Sequence, residues 1–272
     1  MNKVTKIKYY MEALCVYDLW EDELYQGLFE LLNSAEEYVI GAYSSFCRLV
    51  LRAGSVREHI SKSILTNENL FTRSACGGFA DDKIIETAKS DLAMLEEIAG
   101  ITADDIISHI ENEEIKEILN TLPKFKSGQA VSPLNTDWED KIDDLIEYHK
   151  RNGYGKYAKH IAFTWRNGAL CPVTSIDPIT LNDLKNYEVQ RQKVVDNTES
   201  FVTGHPANNV LLYGDRGTGK SSTVHAVLNE YAKYGLRMIE ISKSDIPDLN
   251  LIRELLSESP MKFIIFIDDL CF

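Results

Sequence analysis

The sequence has 272 residues, 44% apolar and 26% charged, a balance that excludes a disordered tail and suffices for one large core or two modest ones. Its 42 acidic and 29 basic side chains give a formal charge of -13, which opposes nonspecific attraction to nucleic-acid backbones and anionic lipid. Cys15, Cys47, Cys76, Cys171 and Cys271 are odd in number and widely spaced, with no C-x-x-C pair, so they read as reduced thiols. No apolar run approaches the roughly 20 residues of a membrane span, and the N-terminus has no uninterrupted apolar segment of the signal-peptide kind. The expectation is a soluble, cytoplasmic protein without a membrane partner.

Residues 1–122 read as successive helices, because apolar residues recur at helical spacing between start and stop signals. Ser34-Ala35-Glu36-Glu37 and Ser55-Val56-Arg57-Glu58 have the capping-box pattern, and Gly54 and Gly100 stand where a left-handed residue could end a helix. The Gly, Pro and Ser content of 123–136 marks a linker. A new domain, 137–272, is expected to begin with a helix carrying Trp138, Ile142, Leu145, Ile146 and His149 on one side. A second short helix is expected to contain Ala158, Ile161, Ala162 and Trp165. These aromatics read as core, since no basic residues interleave with them as a base-stacking platform requires.

From Asn208 the text changes character. Val210 to Tyr213 reads as a short apolar strand, and Gly214-Asp215-Arg216-Gly217-Thr218-Gly219-Lys220-Ser221 matches G-x-x-x-x-G-K-[ST] in full. Chance alone gives that pattern in about one chain of this length in a hundred. Val224, Val227, Leu228 and Tyr231 follow at i, i+3, i+4, i+7, with Gly235 as a stop, so the loop joins a strand to a helix N-terminus. Such a junction presents unpaired N–H groups and the positive end of a helix dipole to an anion. Lys220 would then reach the β and γ phosphates of a nucleotide, and the Ser221 hydroxyl would ligate Mg²⁺.

Leu236 to Ser242 reads as a second strand, the region of Leu249, Ile252, Leu255 and Leu256 as a helix, and Phe263 to Ile267 as a fully apolar, buried parallel strand. Asp268 and Asp269 emerge at its C-terminal end, on the rim where open parallel sheets bind ligands. There Asp268 can hold hydrated Mg²⁺ and Asp269 can act as general base on water.

This order of loop, helix, strand, helix and strand ending in two acids resembles the nucleotide-binding core of an AAA+ ATPase. The stretches LNDLKNYEVQRQKVVDNTESFVTGHPANNVLLYGDRGTGKSS and KFIIFIDDLCF are similar to a bacterial family of predicted AAA+ ATPases described only as a domain of unknown function, over roughly residues 136 to 272. The resemblance implies Gly214 to Ser222, Ser222 included, as the phosphate loop, Asp268 as the metal-side acid, and Asp269 where most AAA+ proteins place Glu. It also implies adenine contacts at Leu184 and Tyr187. ATP with Mg²⁺ is the implied cofactor; no N-K-x-D for guanine is present.

The resemblance further implies a sheet ordered 5-1-4-3-2, of which this sequence supplies strands one to three: an α/β fold with a helical N-terminal region and an incomplete parallel-sheet P-loop core. The fourth and fifth strands, the sensor residue, the arginine finger and the helical lid would lie beyond Phe272, so the chain resembles one cut short and slow hydrolysis is expected. With strand four missing, Val210 to Tyr213 is expected to pair with Phe263 to Ile267 or with a partner. The implied function is an ATPase coupled to remodelling of a macromolecular partner, protein favoured over nucleic acid, with a homo-oligomer compatible with the full-length form. The alternatives are a nucleotide-binding interaction module with little or no turnover, and a DNA-linked loader-type ATPase.

Overall fold

Short polar side chains start the helices of the N-terminal half other than Val39–Ala53, each accepting amide N–H groups that the helix cannot satisfy itself. The computed structural model describes residues 1–79, 81–257 and 259–268. Asn2 caps α1 (Lys3–Ala13), Asp22 caps α2 (Glu23–Asn33), and Ser55 caps α4 (Val56–Thr66), which follows α3 (Val39–Ala53). Asn69, Asp81, Thr102 and Asn112 cap α5 (Leu70–Gly77), α6 (Asp82–Ala99), α7 (Ala103–His109) and α8 (Glu113–Thr121). Gly54 ends α3 at φ 90° as expected, whereas Gly100 stands at φ -81° and is not left-handed. Ser34 differs too: it closes α2, its hydroxyl donating to the Leu31 carbonyl, and opens nothing.

The chain divides into two units, Met1–Tyr148 and His149–Phe272. In the first, α6 runs through the core with Ala88, Leu92, Leu95 and Ile98 buried. Buried Asp91 on the same helix accepts the amides of Cys15, Val16 and Tyr17 at 2.7 to 3.1 Å, so one carboxylate organises the turn between α1 and α2. The expected domain boundary at 136/137 falls later. Trp138, Ile142 and Leu145 are fully or almost fully buried in this unit's core, the Trp138 amide donates to Glu96 (2.8 Å), and the Arg57 guanidinium, paired with Glu96, lies 5.6 Å from the indole centroid. Thr136-Asp137-Trp138-Glu139 has the capping-box pattern but forms no such box. Asp137 is left-handed and makes no cap; a 3-10 turn, Trp138–Lys141, leads into α9 (Ile142–Asn152).

The second unit holds a four-stranded sheet in the order β2-β1-β3-β4. The expected helix through Ala162 and Trp165 ends early: α10 (Gly155–Lys159) gives way to β1 (Ala162–Arg166), which pairs antiparallel with β2 (Ala169–Pro172) across Asn167-Gly168. Both turn residues have positive φ, 51° and 77°, the Asn-Gly two-residue hairpin whose backbone matches strand twist. β3 (Leu236–Ile241) runs parallel to β1 and to β4 (Lys262–Ile267). Leu236 and Met238 face Val227, Leu228 and Tyr231 of α12 (Lys220–Tyr231) and Val194 of α11 (Glu188–Val202); Ile239 and Ile241 face Tyr157, Phe163, Trp165 and Ile252 of α13 (Leu249–Ser257). Helices thus cover both faces of a mostly parallel sheet.

Val210 to Tyr213 is not a strand. A strand exists only with a partner, and this run pairs neither with β4 nor with any other described segment; Val210, Leu211 and Tyr213 are 49%, 62% and 88% exposed, while Leu212 packs against the core. β4 accordingly lies at the sheet edge among the described residues and is half-buried along its length, not fully buried as its composition suggests.

Two buried polar groups brace this unit. Arg237 on β3 is 2% exposed and donates to the carbonyls of Asn152 (2.6 Å), Tyr157 (2.8 Å), Ala232 (3.1 Å) and Leu236 (2.8 Å). Asn152 and Ala232 end α9 and α12, so the guanidinium sits on the negative ends of two helices, sharing the Ala232 carbonyl with the Gly235 amide. Arg237→Leu should lower stability by about 3 kcal/mol, since the buried acceptors lose their donor; a urea midpoint equal to wild type would contradict this account.

His149 is fully buried and its Nδ1–H donates to the Gly153 carbonyl (2.8 Å). Burial pushes the imidazole down from 6.5 to about 4, against the hydrogen bond to the carbonyl, which favours the charged form. The folded value lies below the unfolded one, so the unfolded chain takes the proton first as pH falls. The stability that His149 confers is complete above pH 6.5 and is lost progressively as pH drops from 6.5 to about 4. That loss amounts to about 3 kcal/mol at most. Melting profiles against pH should therefore fall more steeply in this window for wild type than for His149→Gln; parallel profiles would show that the imidazole is not the titrating group.

Candidate functional site

The glycine-rich turn ahead of α12 is shaped by two left-handed residues, Gly217 (φ 80°) and Gly219 (φ 79°), the latter serving as the helix N-cap. A side chain at either would force a conformation that L residues rarely adopt. The Thr218 hydroxyl donates back to the Asp215 carbonyl (2.9 Å). Lys220 folds over the turn, its ammonium donating to the carbonyls of Gly214 (3.0 Å) and Asp215 (2.8 Å). The chain thus curls around the amino end of α12, whose first-turn N–H groups have no acceptor within the helix. Such a turn can cradle an anion, and the Lys220 ammonium lies beside it.

The carboxyl end of β4 meets the same helix turn. The Ser221 hydroxyl donates to Asp268 Oδ2 at 2.9 Å, joining two residues 47 positions apart in sequence. A hydroxyl and a carboxylate side by side at the end of a parallel strand form a hard oxygen pair of the kind Mg²⁺ accepts, with remaining positions for phosphate oxygens and water. No group of three or more His, Cys, Asp or Glu ligands occurs among the described residues, so this pair would hold a metal only in concert with a bound ligand.

A cleft of about 270 Å³ opens beside the turn. Gly214, Asp215, Thr218, Gly219 and Lys220 line one part; Leu184, Lys185, Asn186 and Tyr187, the chain leading into α11, line another, with Gln190, Arg191 and Val194 of that helix. Leu212, Tyr213 and Thr223 complete it. Lys185, Arg191 and Lys220 outnumber the single carboxylate, Asp215, so the cleft is locally cationic in a chain of formal charge -13.

The structure therefore brings the expected base-side pair, Leu184 and Tyr187, into one cleft with Gly214, Asp215, Thr218, Gly219 and Lys220. Arg216, Gly217, Ser221 and Ser222 do not line it, and Arg216 is exposed. Asp268 is where expected, beside Ser221. Asp269, the expected general base, lies outside the described residues. Asn186, Gln190 and Arg191 were not anticipated; the only advance signal was Asn186, a residue that tolerates the left-handed region, ahead of a helix.

Residues 158–272 match a family model described as "Protein of unknown function (DUF815)". The chain is also similar to replication factor C large subunits, 34% identical over 90 residues in Sulfurisphaera tokodaii and 32% over 78 residues in Methanococcus maripaludis. These alignments cover 33% and 29% of this chain and 20% and 16% of the relatives. Human replication factor C subunit 5 is 33% identical over 79 residues, 28% of this chain and 22% of the relative. The chain thus spans about a fifth of the length of the curated relatives it matches. No solved structure matches it significantly. Taken with the glycine-rich turn at a helix start and the helix-covered, mostly parallel sheet, these likenesses support an AAA+ P-loop ATPase-like protein.

Proposed function

We propose that the second unit binds ATP with Mg²⁺, and that binding or hydrolysis is coupled to remodelling of a macromolecular partner. The observation that carries this reading is the Ser221 to Asp268 hydrogen bond, which joins the helix turn behind the glycine-rich loop to the acid at the end of β4. The chain's residues fit the nucleotide. Gly214 to Gly219 and the first turn of α12 would wrap the phosphates with backbone N–H groups, and Lys220 would exchange its carbonyl partners for the terminal phosphates. Ser221 and Asp268 would hold the metal, which would supply neutralisation of phosphate charge. Leu184, Tyr187, Val194 and Leu212 would offer apolar surface to adenine. Asp269, next in sequence, remains the candidate base.

The first unit is proposed as the partner-binding or regulatory module. Likeness to replication factor C subunits supports a multi-subunit assembly, and favours the DNA-linked loader reading over what the acidic charge balance alone suggests.

Lys220→Ala should weaken ATP binding at least about tenfold in calorimetric titration while leaving the melting midpoint near wild type; equal affinities would overturn the assignment. Ser221→Ala should act differently, lowering the gain in ATP affinity on adding Mg²⁺ by about tenfold and sparing metal-free binding. An unchanged Mg²⁺ dependence would remove the serine from the metal site.

A further inference from the structure

We propose that Arg191 is a positioning residue that holds Asn186 and Tyr187 in a left-handed backbone conformation and thereby builds the nucleobase wall of the cleft; this rests on the nucleotide reading above. Asn186 and Tyr187 lie at φ 65° and 58°, two consecutive non-glycine residues in a region that side chains disfavour. Tyr187 is an aromatic residue, for which the conformation is particularly uncommon, and it is 53% exposed, so core packing does not impose it. What does bear on this backbone is Arg191. Its Nη1 donates to the carbonyls of Leu184 (2.8 Å) and Asn186 (3.3 Å), and its backbone amide donates to the Tyr187 carbonyl (2.9 Å) in the first turn of α11. The side chain thus holds two backbone carbonyls, at 184 and 186, and the backbone amide a third, at 187, tying the segment to a helix whose Val194 is anchored in the core.

The guanidinium donates to carbonyls of the segment leading into α11, and Lys220 has its own carbonyl partners in the glycine-rich loop. The two cations therefore serve different parts of one cleft. Lys220 belongs to the phosphate cradle, and Arg191 to the wall formed by Leu184 and Tyr187. Removing the arginine donors should let the segment relax from its left-handed conformation, withdrawing the wall from the base and leaving the cradle intact.

The test compares ATP with inorganic tripolyphosphate, which has the phosphates and no base, by calorimetric titration. Wild type should bind ATP more tightly than tripolyphosphate. Arg191→Met, which keeps the apolar stem, should lose affinity for ATP about tenfold and none for tripolyphosphate. Asn186→Gly added to Arg191→Met should recover part of the loss, because glycine occupies this backbone region without penalty. Asn186→Val, with the arginine present, should reproduce the loss, and it keeps the test open if Arg191→Met does not fold. Unchanged ATP affinity in Arg191→Met would overturn the positioning role alone, as would an equal loss for both ligands. Wild type binding neither ligand would overturn the nucleotide reading, and this proposal with it.

Discussion

The parallel pairing of β3 with β4 is the constraint on which the site depends. Six residue pairs, from Leu236 with Lys262 to Ile241 with Ile267, hold β4 in a register that brings Asp268 out at the same sheet rim as the first turn of α12. Side chains alternate faces along a strand, so a slip of one residue would carry Ile264 and Phe266 to the wrong side and turn the acid away from Ser221. Two opposed apolar faces make that slip costly: Met238 and Ile264 are packed beneath α11 and α12, Ile239 and Ile265 against α13 and Tyr157. Burial on both sides thus fixes a hydrogen bond at the end of the strand.

The same unit shows how a strongly acidic chain keeps cations where they act. Arg237 is buried and donates to four carbonyls, two of them at helix C-termini. Lys220 and Arg191 likewise rest on carbonyls of their own loops. Carbonyl dipoles stabilise a cation less rigidly than a carboxylate does, and so leave a surface lysine able to turn toward an incoming phosphate.

The helical unit relies on carboxylates instead. Asp91 gathers three successive amides, and Glu96 takes both the Trp138 amide and the Arg57 guanidinium. Each carboxylate ties remote chain to α6, which is how residues after the Pro- and Gly-containing stretch return to the first unit's core. A composition shift marks where helices stop, but not which core the next helix joins.

The sequence by itself determined the elements whose information is local. The capping of α4 at Ser55, the glycine-rich turn and α12 with its buried stripe of Val227, Leu228 and Tyr231, and the two parallel strands ending at Asp268 were all legible, because caps, glycines and periodicity act within a few residues. Asn167-Gly168 is a hairpin signal that the reading of Ala162 and Trp165 as helix leaves out, because the apolar residues around it fit a helix or a strand equally well. Tertiary structure alone decided the rest. Val210 to Tyr213 has strand composition but no partner, Trp138 joins the helical core through Glu96, and Arg191 reaches carbonyls at 184 and 186 only after α11 has formed. Strand identity, core membership and the wall of a cleft are relations between segments, and such relations are settled by pairing and burial after local propensity has had its effect.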